Sequence, residues 1–154
     1  MSAPGPRKSG GGGRRKGREL AMKLLYQMEV GSRTLDTVCA NYDEYSSAPE
    51  KIRKFAKSLA SGVIGNREEI DAKIKDALKN WDIERLAAVD FQLLRVAAYE
   101  LVFLEDIPAR VTINEAIELS REYSTENSSK FVNGVLDNIL TRHAAHKKES
   151  AGTV

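Results

Sequence analysis

The residue types that most often carry catalysis or bind metal are sparse in this 154-residue sequence. The histidines, His143 and His146, are spaced to lie on one side of a helix, but the tail around them offers no third histidine or cysteine ligand. Cys39 lies on an apolar helical face with no histidine nearby in sequence, which favours a buried structural thiol over a nucleophile. The glycines at 10–13 follow no strand and precede no Lys-Ser/Thr pair, so they do not form a phosphate loop. We therefore expect no cofactor, no metal site and no enzymatic activity.

Positive charge is concentrated at the two ends of the chain. Residues 1–18 contain six basic residues and no acid, and residues 141–154 contain three basic residues and one acid. Of the 24 basic and 22 acidic residues in the whole chain, 15 and 21 therefore remain in residues 19–140, which carry a net charge of −6. The stability of a folded domain does not require positive charge to be concentrated at one end. Binding to a polyanion does favour such a concentration.

The strongest chemical signal is a basic cluster that runs directly into the first helix: Arg14, Arg15, Lys16 and Arg18. Arginine binds phosphate oxygens through paired hydrogen bonds and stacks on bases, and flexible arginine-rich segments fold onto RNA. If four of these charges neutralise phosphates of a single strand, log K should fall with log salt at a slope of about −3. The alternatives are a solubilising tail and an arm for anionic membranes. The lack of an amphipathic or lipid anchor argues against the membrane.

Apolar residues recur every three or four positions in seven segments after Arg18, and strand-like alternation is absent over any useful length. Thr34 is predicted to cap the second helix, Thr112 to open the sixth in a capping box, and Asn127 to cap the seventh. The longest apolar segment, 83–104, should form a central helix that is buried on most sides. We predict an all-α fold of about seven helices in two packed antiparallel helical bundles.

Composition divides the chain into four parts. A segment rich in proline, glycine and serine cannot bury a core, so the N-terminus is predicted to be disordered. The break at Gly65 and the polar segment after it indicate a split near residue 80. The predicted parts are a disordered basic arm (1–17), an N-terminal helical subdomain (18–80), a C-terminal helical subdomain (81–142) and a polar tail (143–154).

The cellular location follows from what the sequence lacks. No apolar run reaches the ~20 residues needed to cross a bilayer, and the first thirteen residues contain no apolar stretch of the kind found in a secretory signal. The single cysteine fits a reducing compartment. We expect a cytoplasmic protein with no membrane partner.

Three stretches of sequence form a recognisable set. The last third contains PARVTINEAIEL from Pro108 and SKFVNGVLD from Ser129, and the beginning contains RRKGREL from Arg14. The central helix contains Asp90, then a Leu-Arg pair and a Tyr-Glu-Leu triplet that ends at Leu101. Together these motifs resemble the NusB family of bacterial transcription antitermination factors, and the likeness extends over roughly residues 14–140.

The resemblance implies a function and a set of partners. A NusB-like chain would bind boxA-type single-stranded RNA of ribosomal RNA leaders together with NusE, a protein of the small ribosomal subunit. Other Nus factors and RNA polymerase would take part indirectly, and a homodimer is left open. By position, Arg14, Arg15, Lys16 and Arg18 would hold RNA phosphates. The residues expected to line the RNA surface near base edges are Tyr26, Asp90, Tyr123, Lys130 and Phe131.

Phe131 and Asn127 each differ from the simplest expectation. Helical spacing alone predicts a core position for Phe131, whereas the resemblance favours a partly exposed stacking role. Asn127 stands where the family often has an acid, and a neutral side chain there would reduce repulsion of phosphate.

Two other functions compete with an RNA-binding adaptor. One is a protein-interaction helical module whose basic arm serves only solubility. The other is a NusB-like accessory domain of a ribosomal RNA methyltransferase system. A methyltransferase needs a cofactor-binding α/β domain and a reactive cysteine, and we recognise neither in this sequence.

Overall fold

The computed structural model describes residues 11–78 and 86–147. These residues are helical and include no strand, which confirms the prediction of an all-α fold. In the described ranges, eight helices of four or more residues replace the seven predicted, and the short α3 is the additional one. The helices are α1 (Gly11–Gly31), α2 (Leu35–Ala40), α3 (Asp43–Ser46), α4 (Glu50–Gly65), α5 (Arg67–Leu78), α6 (Ala88–Phe103), α7 (Ala109–Tyr123) and α8 (Glu126–His143).

The chain divides into two compact units after residue 61, and not near residue 80 as the sequence indicated. The boundary lies inside α4, and α5 belongs to the second unit, where it packs against α6 and α8. Asp71 of α5 accepts two hydrogen bonds from the Arg95 guanidinium of α6, at 2.9 and 2.8 Å. Helix α5 belongs to the second unit because of long-range contacts of this kind, and a local break in the sequence cannot predict such contacts.

The core of the first unit consists of the apolar stripe that the sequence predicts for α1 and its partners on α2 and α4. Leu20 and Leu24 of α1 are fully buried, as is Val38 of α2. Leu59 of α4 is 1% exposed. Each fully buried leucine or valine contributes roughly 1.5–3 kcal/mol relative to exposure, so this stripe anchors α1.

Helix α6 is the centre of the second unit and packs against α5, α7 and α8. Ten of its 16 residues are buried, which confirms the predicted central helix. It begins later than residue 83, because Leu86 is not helical and Ala87 has the extended backbone of an N-cap. Residues 83–85 lie outside the described residues.

Three predicted helix caps have different outcomes. Thr34 caps α2 as predicted, its side chain accepting from the amide of Thr37. The capping box at Thr112 is wrong: α7 begins at Ala109, and the buried Thr112 hydroxyl donates to Glu100 Oε1 at 2.7 Å. Asn127 is also not a cap, since the side chain of Thr125 accepts from Ser128 N in that role. A capping side chain must stand at the residue where the helix begins. The polar residue that is nearest in sequence to the apolar run does not always occupy that position.

The start of the predicted polar tail, 143–154, also packs against the fold. His143 is the last residue of α8, and Lys147 is only 4% exposed. Its Nζ donates to the carbonyl oxygen of Glu100 at 2.8 Å, and burial lowers the pKa of this lysine. Residues 148–154 lie outside the described residues. None of the helices in the described ranges combines the length and apolar character required to cross a membrane.

Candidate nucleic-acid interface

The basic cluster lies on a helix. Helix α1 begins at Gly11, whereas the sequence indicated a disordered arm up to residue 17. Residues 1–10 of that arm lie outside the described residues. Four of the first seven residues of α1 are glycine, and glycine inside a helix costs about 1 kcal/mol relative to alanine. Local propensity therefore does not account for the helix, and packing must offset this cost.

The packing partner of this segment is Phe55 of α4. The Arg14 guanidinium carbon lies 4.5 Å from the centre of the ring and that of Arg18 lies 5.7 Å away, both within cation–π range. Gly17 lies against the same ring, and a Cβ added there would come within 2.5 Å of Phe55 Cδ2. The first turns of α1 therefore pack against the aromatic ring of Phe55.

The two arginines over this ring differ in exposure. Arg18 is only 3% exposed, so its guanidinium does not reach a phosphate in this conformation and adds positive charge beneath the surface. Arg14 stays exposed while it lies over the ring, and Arg15 is exposed on the same turn. Of the predicted arginines, Arg14 and Arg15 are thus the ones that can meet a phosphate directly.

Lys16 already has an anionic partner. Its Nζ lies 2.6 Å from Glu44 Oε2, and Lys23 Nζ lies 3.0 Å from Glu44 Oε1. Tyr42 donates its hydroxyl to the same carboxylate at 2.6 Å. Hydrogen bonds from Lys16 and then Tyr42 lower the pKa of Glu44 to about 2, and the bond to Glu44 raises the pKa of Lys16. The Glu44 carboxylate therefore occupies the anion position beside Lys16.

Tyr26 lies on the outer face of α1. Its side chain is 38% exposed, and Val30, one turn further along, is 66% exposed. An exposed aromatic ring on a helix that also carries exposed arginines is suited to stack on an unpaired base. Its role in RNA binding stays a prediction.

Asp90 lies in the first turn of α6 and is 4% exposed. Its Oδ2 accepts a long hydrogen bond from the Ser124 hydroxyl at 3.5 Å, and the hydroxyl oxygens of Ser124 and Ser128 lie 2.9 Å apart, within hydrogen-bond distance. Within the described residues, Asp90 Oδ1 is buried and has no hydrogen-bond partner. The beginning of α6, the end of α7 and the first turn of α8 therefore meet at Ser124. Because Asp90 is covered here, its predicted contact with a base edge requires this corner to open.

The remaining predicted residues lie on the helices that meet at this corner. Tyr123 ends α7, while Lys130 and Phe131 lie in the second turn of α8. Lys130 is exposed, and the two aromatic side chains are half-buried. The half-buried state of Phe131 lies between the core position that its spacing predicts and the stacking role that the resemblance favours. Asn127 is exposed in the first turn of α8.

Sequence reasoning missed two residues that shape the basic turns. In the sequence, Phe55 is one member of the apolar stripe of its helix, and Glu44 is one of many scattered acids. Glu44 lies 28 residues from Lys16 along the chain. Its only sequence signal is the neighbouring Tyr42, and that signal is not specific.

The two histidines each lie beside a carboxylate, and the cysteine is half-buried. His143 Nε2 lies 3.1 Å from Asp76 Oδ2, and His146 Nε2 lies 3.2 Å from Glu105 Oε1. Cys39 is half-buried, and burial raises the pKa of its thiol. Over residues 11–78 and 86–147, no three His, Cys, Asp or Glu side chains are grouped to hold a metal ion.

Comparison with known proteins decides the family. A family model described as the NusB family matches residues 15–141. The chain belongs to the NusB family. It is 43% identical over 139 residues to a transcription antitermination protein NusB of Clostridium botulinum, covering 82% of this chain and 99% of that relative. This family assignment agrees with the expectation that the chain is not an enzyme, since the relatives carry the name of a transcription antitermination protein.

Solved structures agree with the family assignment. The NusB of T. maritima is 39% identical and has a TM-score of 0.78, covering 97% of this chain and 99% of that one. A crystal structure of the antitermination factors NusB and NusE in complex with double-stranded RNA contains a chain that is 27% identical, with a TM-score of 0.76. The match covers 84% of this chain and 96% of that one.

Proposed function

We propose that this NusB-family chain is an RNA-binding antitermination factor that binds boxA-type single-stranded RNA of ribosomal RNA leaders together with NusE. It supports processive transcription by RNA polymerase as a member of an assembly with other Nus factors in the cytoplasm. The observation that carries the proposal is the pair of exposed arginines, Arg14 and Arg15, on the first turns of α1. The solved complex of a related NusB with NusE and double-stranded RNA supports NusE and RNA as the classes of partner.

The mechanism is assembly, and each group of residues has a separate task. The exposed basic turns attract the strand and bind its phosphates, which supplies affinity that depends on salt but not on sequence. Tyr26 on α1, with Tyr123 and Phe131 in the second unit, supplies stacking surfaces for unpaired bases. Lys130, exposed on α8, lines the RNA surface near the base edges. NusE raises the affinity further because one strand then binds two linked proteins.

The test is a titration of boxA RNA against the chain and NusE, at two salt concentrations. In the variant Arg14→Ala/Arg15→Ala we expect the slope of log K against log salt to flatten by about 1.4, since each phosphate contact on a single strand contributes about 0.7. A matched control is Arg67→Ala/Arg110→Ala, which removes two exposed arginines outside α1. The control should keep the parent slope.

Two results would contradict the proposal. Equal slopes in parent and arm variant would show that Arg14 and Arg15 do not bind RNA phosphates, and would favour a protein-interaction module. Equal affinity for boxA and for a scrambled RNA, with NusE present, would show that the chain reads no sequence. Sedimentation of the chain alone and with NusE checks whether a homodimer competes with the complex.

A further inference from the structure

We propose that Phe55 is a positioning residue for RNA binding: its ring, seated against Gly17, holds the basic turns of α1 in helical form and orients the Arg14 guanidinium for phosphate. The proposal rests on the proposed function, because it assigns to Phe55 the preparation of the arm that binds RNA. Phe55 itself touches no RNA and acts only through α1.

The basic turns need support from outside their own helix. Gly11, Gly12, Gly13 and Gly17 give this segment little tendency to be helical. An arm that ordered only on binding RNA would lose part of its binding free energy to that ordering. An arm that is already helical avoids this loss.

Helix α4 supplies the support, and Phe55 is its main element. A Cβ at Gly13 would lie 4.0 Å from Ile52, which is ordinary contact. At Gly17 it would meet three atoms of the Phe55 ring at 2.5 to 3.4 Å, so only glycine lets α1 approach the ring this closely. One glycine and one aromatic side chain therefore set the separation of the two helices.

The guanidinium groups of Arg14 and Arg18 both lie over the Phe55 ring. Arg14 and Arg18 are one helical turn apart, and both lie within 6 Å of the ring centre. Arg18 is buried where α1 packs against α4, whereas Arg14 is exposed. A guanidinium held over an aromatic face keeps the donors at its edge available for a phosphate, and its long side chain has less rotational freedom to lose on binding.

The experiment compares binding of boxA RNA, with NusE present, by the parent and by Phe55→Leu and Phe55→Tyr. Leucine keeps an apolar side chain but removes the aromatic face, and we expect it to weaken binding about 2- to 10-fold. Tyrosine keeps the face, and we expect it to retain parent affinity. A structural role without a link to RNA would not produce this rescue.

A double-mutant cycle identifies the route of the effect. If Phe55 acts through Arg14, then Phe55→Leu should add little to the loss already caused by Arg14→Ala. Fully multiplicative losses would overturn the proposal. A second variant, Gly17→Ala, covers the case in which Phe55→Leu does not fold. Alanine raises helix propensity, so weaker RNA binding by Gly17→Ala would come from the displaced ring, and unchanged binding would overturn the proposal.

The outcomes separate this proposal from the proposed function. If the parent binds boxA RNA and Arg14→Ala weakens it while Phe55→Leu equals the parent, Phe55 is not a positioning residue and the function stands. If the parent shows no preference for boxA RNA, the proposed function fails, and the role of Phe55 fails with it.

Discussion

Replacing Glu44 by glutamine should strengthen RNA binding and slightly weaken the fold. Glutamine keeps an oxygen that can accept from Tyr42 but removes the negative charge that faces Lys16 and Lys23. Both lysines retain Glu19 as a partner, at 3.5 and 3.3 Å. The substitution therefore removes a competitor of RNA phosphate without leaving either ammonium group unpaired.

The magnitude follows from the exposure of the pair. The side chains of Lys16 and Glu44 are 37% and 32% exposed, so solvent screens the interaction. Exposed ion pairs contribute about 0.2–1 kcal/mol. If a phosphate must displace this contact, its removal should tighten RNA binding about 1.4- to 5-fold at low salt. One further phosphate contact should steepen the salt slope by about 0.7.

The assay is fluorescence anisotropy of labelled boxA RNA with NusE at two salt concentrations, with urea denaturation of the same variants. The matched control is Glu50→Gln, which makes the same charge change beside Lys54 on α4, at 3.2 Å, outside the predicted RNA surface. Equal tightening by both variants would show an effect of net charge alone. Weaker binding by the Glu44 variant would show that this carboxylate orders Lys16 for RNA and does not compete with it.

Two further predictions concern stability. The pKa of Glu44 is lowered from 4.5 to about 2, so its contribution to stability is complete above the ordinary value and disappears as pH falls through about 2. The difference in unfolding free energy between the parent and Glu44→Gln should shrink over that range, and a constant difference would refute the assignment. Gly62→Ala should destabilise the chain by about 1–3 kcal/mol, because the added methyl group would overlap the Tyr99 ring. Gly134→Ala, which meets nothing within 4 Å, should instead stabilise it by up to about 1 kcal/mol. Thermal denaturation of the two variants checks the pair, and equal shifts would show that helix propensity and not packing dominates.

The helices and their buried faces could be predicted from the sequence because helical periodicity is a local property. Leu20 and Leu24 are buried as their spacing predicts, and α6 is the central helix that its continuous apolar character predicts. The cap at Thr34 was also predictable, since its hydroxyl lies three residues before the amide that it accepts from. Each of these features depends on residues within a few turns of one another.

The basic cluster is also visible in the sequence, because charge composition requires no folding to be counted. The motifs at Arg14, Pro108 and Ser129 indicate the family by themselves, and the family model confirms that identification. What the sequence did not predict is that the basic segment is helical. Its glycines favour disorder when they are considered alone.

Only the tertiary structure decided how the basic side chains are presented. Phe55 and Glu44 are both distant from the arm in sequence, and each contacts it through packing that no local pattern encodes. Arg18 is buried and Arg14 is exposed, although both lie over the same ring, and the Glu44 carboxylate pairs with Lys16. The sequence by itself determined where the positive charge of the chain is concentrated. The fold determined which of these charges are exposed and which are paired, because exposure and pairing depend on distances between residues that are far apart in the chain.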